Sequence, residues 1–169
     1  MVYDNQNIIT IIVNSNIHSR NFIVMKKIYK EEEINVTMSI IFNLINNIED
    51  YPKFLPWCKK TEVTKESEHS QIGKIFISKS FINWSFSTKN IIDRNKSISL
   101  SLIDGPFDKL DGSWNFKKID DNNTLVSLEI NYKFKNSIIE LSIEPIFTTI
   151  MNSILESFVD QAFKIKYND

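Results

Sequence analysis

Two hydrophobic periods divide this chain. Between Thr37 and Ile48, apolar residues recur at helical spacing (Ile40, Ile41, Leu44, Ile45 and Ile48), which predicts an amphipathic helix with one buried face. Thr37 reads as its N-cap. Pro52 and Pro56 read as its stop, because proline lacks the amide and clashes with the preceding turn. From Cys58 to Phe134 the period drops to two. Thr61–Thr64, Lys74–Ser78, Trp84–Thr88, Ser97–Leu102, Ser113–Phe116 and Leu125–Phe134 alternate apolar with polar. Turn signals fall at 68–70, 93–95 and 120–123. Short links make consecutive strands antiparallel neighbours, and the alternation leaves one face of the sheet dry. After Asn136 the helical period returns. Ile143, Phe147, Ile150, Met151, Ile154, Leu155, Phe158, Ala162 and Ile165 form one long stripe.

With a charged-flanked strand at 26–34, the order is strand, helix, about six strands, long helix. It predicts an α+β domain: a curved antiparallel sheet of about six to seven strands wrapped around the C-terminal helix, with a shorter helix after the first strand. Pro145 is expected in the first turn of the long helix, where a missing amide costs little, with Ser137–Leu141 as a separate short turn. Residues 25–166 form the single domain. Residues 1–24, with their β-branched run Ile8–Val13, are an N-terminal extension: an added strand, a loose segment, or a mis-assigned start ahead of Met25. A sheet gripping one helix rarely closes along its whole length, so a cavity is expected between them.

Composition narrows the functions available. The 169 residues carry a formal net charge of -1, so no global basic field draws the protein to DNA. Local basic pieces at Lys53 and Lys59–Lys60 read as solvated surface. Cys58 is the sole cysteine, so no intrachain disulfide forms, and a reducing compartment fits. That compartment is a bacterial cytoplasm, at most peripheral to the inner membrane, or the matrix side of a mitochondrion. His18 and His69 are the only histidines and share no metal-ligand spacing. With three glycines in all, no glycine-rich phosphate loop exists. Cys58 follows an apolar Pro-Trp and reads as a small buried hydrophobe rather than a nucleophile. Asp104, Asp108 and Asp111 read as turn and surface carboxylates. No acid–base pair stands out, so a non-enzymatic protein is expected, without metal or cofactor.

Two segments stand apart: Tyr51-Pro52-Lys53-Phe54-Leu55-Pro56-Trp57-Cys58, and Asp104-Gly105-Pro106-Phe107 with Leu110, Gly112 and Trp114. Both put large apolar side chains beside Pro and Gly, where loops are usually polar. On these motifs the chain resembles the START-like, helix-grip (polyketide cyclase/dehydrase-like) superfamily. Within it, the chain resembles the coenzyme Q-binding protein family, which also includes the bacterial RatA ribosome-association toxins. The resemblance covers roughly Met25 to Lys166. It implies binding of ubiquinone as a lipid carrier or chaperone for respiratory complexes at a membrane. For some bacterial members it implies binding to the large ribosomal subunit and a block on subunit joining. The N-terminal extension and Pro145 depart from the family pattern.

Under the carrier reading, the walls of the cavity come from four places. Phe54, Leu55 and Trp57 stand at the mouth. Phe107, Leu110 and Trp114 come from the second loop and its strand. Ile75, Ile77 and Phe86 lie on the sheet, and Ile154 and Phe158 on the long helix. Their contribution is apolar burial, about 25 cal/mol per Å² of ligand surface, with aromatic stacking on the quinone ring. The two motifs are expected to act as lips that meet over the mouth. Under the ribosome reading, Lys53, Lys59 and Lys60 supply the contact.

Overall fold

The structure is a computed structural model and describes residues 25–168. The expectations for residues 1–24 lie outside the described residues. Strand β1 (Lys26–Ile34) leads into helix α1 (Met38–Asn46) and a 3-10 turn at Ile48–Lys53. Six strands follow: β2 (Cys58–Ser67), β3 (Ser70–Lys79), β4 (Ile82–Asp93), β5 (Ser97–Asp104), β6 (Phe107–Lys118) and β7 (Thr124–Phe134). The chain ends in α2 (Ser137–Asn168).

The sheet has seven strands in the order β1-β7-β6-β5-β4-β3-β2, and every neighbouring pair is antiparallel. β2 to β7 form a simple meander. β1 closes the other side by pairing with β7, Ile28 opposite Ile130 and Ile34 opposite Thr124. β1 and β2 are therefore the two edges, and α1 with the 3-10 turn carries the chain from one edge to the other.

Local chemistry explains the corners. Between β6 and β7 the Asp120 carboxylate accepts from the amides of Asn122 and Asn123, both at 2.8 Å, an Asx turn. Gly105, between β5 and β6, has φ +148°, and a Cβ there would lie 2.6 Å from the Phe86 Cβ, so only glycine fits. At Gly112 a Cβ would lie 2.2 Å from the Glu129 carbonyl oxygen. Glycine there lets β6 and β7 close up.

Two sequence expectations need correction. The first helix ends at Asn46, well ahead of both prolines. Asn47 leaves helical geometry (φ -88°, ψ 76°) while its amide still bonds to the Asn43 carbonyl. Pro52 sits inside the 3-10 turn, and the buried Ile48 begins that turn. The Tyr51 hydroxyl donates to the Ile45 carbonyl at 2.5 Å, which folds the turn back against α1. Thr37 does hold the N-cap position in extended backbone, but its side chain makes no capping bond; its hydroxyl lies 3.2 Å from that of Ser39.

The second correction concerns α2, which is continuous from Ser137. Its cap is Asn136, whose side-chain oxygen accepts from the Ile139 amide at 2.9 Å. Ser137–Leu141 is thus the opening of the helix rather than a separate turn, and Pro145 lies in the third turn. Proline removes the donor that would meet the Leu141 carbonyl. Leu141 is 80% exposed, so water can satisfy that oxygen. The Lys26 ammonium, 2.5 Å from both Glu140 and Glu144, ties the opening turns to β1.

By length and composition α2 is apolar enough to cross a membrane. In this fold it is the gripped core helix, with Phe147, Ile150, Ile154, Phe158 and Ala162 all buried.

Candidate ligand-binding site

The concave face of the sheet and the inner face of α2 enclose a cavity of about 80 Å³. The alternation along each strand decides what reaches it. On β4 the inward residues are Trp84, Phe86, Thr88, Asn90 and Ile92, opposite Ile77, Ile75, Gly73 and Gln71 of β3. β5 presents Leu100 opposite Asn90, and β6 presents Leu110 and Trp114. α2 supplies Phe147, Ile150, Met151, Ile154 and Phe158. α2 packs most closely on α1, β1 and β7, and the β3–β5 part of the sheet stands off from it.

Of the side chains expected to line a cavity, Trp57, Ile75, Ile77 and Phe86 do so, and so do Leu110, Trp114, Ile154 and Phe158. Phe54, Leu55 and Phe107 do not. Leu55 is 1% exposed and belongs to the core behind the wall. Phe54 packs edge-on against Tyr51 and Phe158, ring centroids 6.0 and 5.3 Å away. Phe107 is stacked on Phe134 at 4.9 Å and meets Phe147 at 5.2 Å.

The two apolar segments therefore do not meet as lips. No ring of one touches a ring of the other among the described residues. Each docks on α2 instead: Tyr51 and Phe54 of the first meet Phe158, and in the second Trp114 meets Phe158 while Phe107 meets Phe147. Phe107 is thus held three turns, about 16 Å along the helix, from the ring that receives Tyr51 and Phe54. An aromatic side chain gains more by burial against the nearest ring than by closing over solvent.

Sequence reasoning missed Ile48, Tyr51, Leu128, Ile130 and the polar pair Thr88 and Asn90, all of which line the cavity. Thr88 and Asn90 share the alternation that revealed Phe86, but the Ser-Thr-Lys-Asn stretch around them gave no apolar signal.

The electrostatics are those of an apolar interior. No charged side chain lines the cavity. The Tyr51 hydroxyl is held protonated by burial, which raises its pKa well above the usual range. The indole Nε1 donors of Trp57 and Trp84 are buried with no hydrogen-bond partner.

Residues 34–159 match the family described as polyketide cyclase/dehydrase and lipid transport. The chain belongs to that family. Within it, the chain is 30% identical over 141 residues to the ribosome association toxin RatA of Vibrio cholerae, covering 83% of this chain and 98% of the toxin. It is 28% identical over 141 residues to a mitochondrial coenzyme Q-binding protein of Dictyostelium discoideum, covering 80% of this chain and 67% of that protein. These relatives place it in the RatA and coenzyme Q-binding branch. An aromatase/cyclase from Streptomyces sp. R1128 superposes with a TM-score of 0.74 at 12% identity, covering 83% of this chain and 94% of that one. At that identity the likeness speaks for the fold alone: a helix-grip, START-like domain.

The family thus spans proteins named for catalysis and proteins named for association or binding. The catalytic inventory here is thin. Burial pushes the Cys58 thiol up to about 11, so almost no thiolate is present at neutral pH. Among the described residues no group of three His, Cys, Asp or Glu side chains converges to hold a metal.

Proposed function

We propose that this protein binds a prenylated quinone, ubiquinone or a close analogue, between the sheet and α2, and carries it without transforming it in support of respiratory electron transfer. The observation that supports this most is a cavity with apolar walls and no charged side chain. Burying an isoprenoid chain there is favoured by about 25 cal/mol per Å² of apolar surface. The inert thiol and the lack of a convergent ligand cluster support a binding role over catalysis. At about 80 Å³, the cavity is well below the ~300 Å³ at which small-molecule sites begin. Loading a prenylated quinone therefore requires α2 or the 3-10 turn to move outward.

The test is extraction. Protein purified from a quinone-making host, or exposed to added ubiquinone, is extracted with solvent and analysed by mass spectrometry. Bound quinone is the expected result; neither co-purified nor added quinone on the protein would overturn the reading.

A second reading rests on a different observation, the similarity along nearly the full length of proteins named for ribosome association. In this reading the protein binds the large ribosomal subunit and hinders subunit joining. Phosphate contact needs unpaired positive charge. Of the lysines expected to supply it, Lys53 is paired with Asp50 and Lys60 with Glu62, while Lys59 makes no ion pair among the described residues. Sucrose-gradient profiles after overexpression separate the readings: an excess of free subunits favours this one, and an unchanged profile removes it.

A further inference from the structure

The chain has three tryptophans, Trp57, Trp84 and Trp114, and two of them leave an indole donor unmet. Among the described residues, the Nε1 atoms of Trp57 and Trp84 are the buried side-chain polar atoms with no hydrogen-bond partner. Folded proteins normally pair such groups, and one left alone needs an explanation. Other buried polar side chains of this sheet are engaged. Thr88 donates to the Asn90 side-chain oxygen at 2.7 Å, and Gln71 donates to the Asn46 carbonyl at 2.9 Å. The two unmet donors also share a corner of the sheet. Trp84 stands opposite Ile77 on the β3–β4 ladder, and the Trp57 carbonyl accepts from the amide of Ser78, the next residue, at 3.0 Å. Trp57, 5% exposed, lines the cavity. Trp84 does not, and its ring packs among Phe86, Phe107 and Phe147.

From this arrangement we propose that the Trp57 indole is the head-group subsite of the cavity and donates to an oxygen of the bound ligand. The inference rests on the ligand-carrier reading and deepens it by fixing the chemistry of the head. An indole nitrogen donates and does not accept, so the ligand end that meets it must carry an acceptor. That end must also be neutral. No charged side chain lines the cavity, so a carboxylate or phosphate would be buried without a counter-ion. A quinone carbonyl satisfies both conditions. A fatty-acid carboxylate fails the second and a plain hydrocarbon the first.

The position of Trp57 suits a cavity that has to widen. Its backbone is tied to β3 through Ser78, and the amide of Cys58 just after it bonds to the Leu55 carbonyl at 2.9 Å. The donor therefore belongs to the sheet, and it keeps its place when α2 moves outward. A donor fixed before the ligand arrives loses little freedom on binding. Ile75 and Ile77 on the same side, and Ile154 on α2, continue the wall as hydrocarbon for the tail. A tryptophan that only packs contributes its ring, and its nitrogen is then irrelevant to which ligand binds. The two roles thus differ in ligand preference rather than in affinity as such.

The test titrates the wild-type chain, Trp57→Phe and Trp84→Phe with a decyl-substituted benzoquinone and with decylbenzene, its carbonyl-free analogue, by calorimetry. Phenylalanine keeps an aromatic ring at each position and removes the donor. Wild type is expected to prefer the quinone by about tenfold, the effect of one hydrogen bond made to a buried donor that is otherwise unmet. Trp57→Phe should bring the two affinities together with decylbenzene binding held, and Trp84→Phe should keep the preference. An unchanged preference in Trp57→Phe overturns the subsite and leaves the carrier reading standing, as does a wild type that binds both compounds equally. A wild-type protein that binds neither compound overturns both. A measurement on the unaltered protein stands beside the variants, because a poorly folded variant does not affect it. The indole N–H resonance of Trp57 should move downfield on adding the quinone and not on adding decylbenzene. A Trp57 signal that ignores the quinone while it binds overturns the proposal. So does one that reports contact with water and keeps that contact in the quinone complex.

Discussion

Phe107 follows a proline and opens β6, where its sequence context suggests a residue at an opening. In the fold it is 1% exposed and its ring meets those of Trp84, Phe86, Tyr132, Phe134 and Phe147. Two strands, β4 and β7, and the helix α2 converge on it, so truncation leaves a hole that rigid neighbours cannot fill. Phe107→Ala should cost about 3–5 kcal/mol of stability, measured by urea unfolding. A loss under about 1 kcal/mol would return Phe107 to the role of a lip. Trp57 differs, because it faces the cavity with an unpartnered indole donor. Aromatic identity was readable at both positions. What each ring touches was not, because those partners lie on strands and a helix far away in sequence.

The seam between β1 and α2 is where charge shapes an element. Inward positions of this edge strand carry Lys26, Lys30 and Glu32 instead of a full apolar row. Lys26 bridges Glu140 and Glu144; burial alone would lower its pKa, and the two carboxylates outweigh this and hold it above the usual lysine range. Lys30 is buried. Glu32 lies toward the acidic side of α2. Desolvation there, with repulsion from Glu156 and Asp160, raises its carboxyl above the usual range. A raised folded-state pKa means that the folded chain favours the protonated form. The contribution of Glu32 is most favourable in acid and is lost as pH rises through its folded pKa. Glu32→Gln should therefore raise the melting temperature at neutral pH by a few degrees at most. The gain should vanish below about pH 4, where Glu32 is already neutral. Thermal scans at the two pH values check this; a gain that persists unchanged in acid would exclude the electrostatic cause.

At the scale of the molecule, α2 is held on one side and free on the other. It packs on α1, β1 and β7, and the β3–β5 face across the cavity curves away from it. A ligand too large for an 80 Å³ space must widen that side and then stiffen it. Amide exchange should therefore slow in α2 and the 3-10 turn when a short-chain ubiquinone is added, with β1, which does not line the cavity, unaffected, as hydrogen-exchange mass spectrometry can show. Protection confined to β1 would place binding elsewhere. Much of this architecture was already written in the order of residues. Period-two and period-3.6 stretches are local consequences of which face is dry, so the strands, both helices and the cavity between sheet and α2 could be read from the chain. Three things could not. The pairing of β1 with β7 joins segments nearly a hundred residues apart and leaves no local trace. The continuity of α2 through Pro145 depends on a solvent-facing gap and on a lysine from β1. The polar pair Thr88–Asn90 becomes part of a site only when Leu100, Gly73 and Ile48 close around it, because burial is a property of the assembled surfaces and not of any one segment.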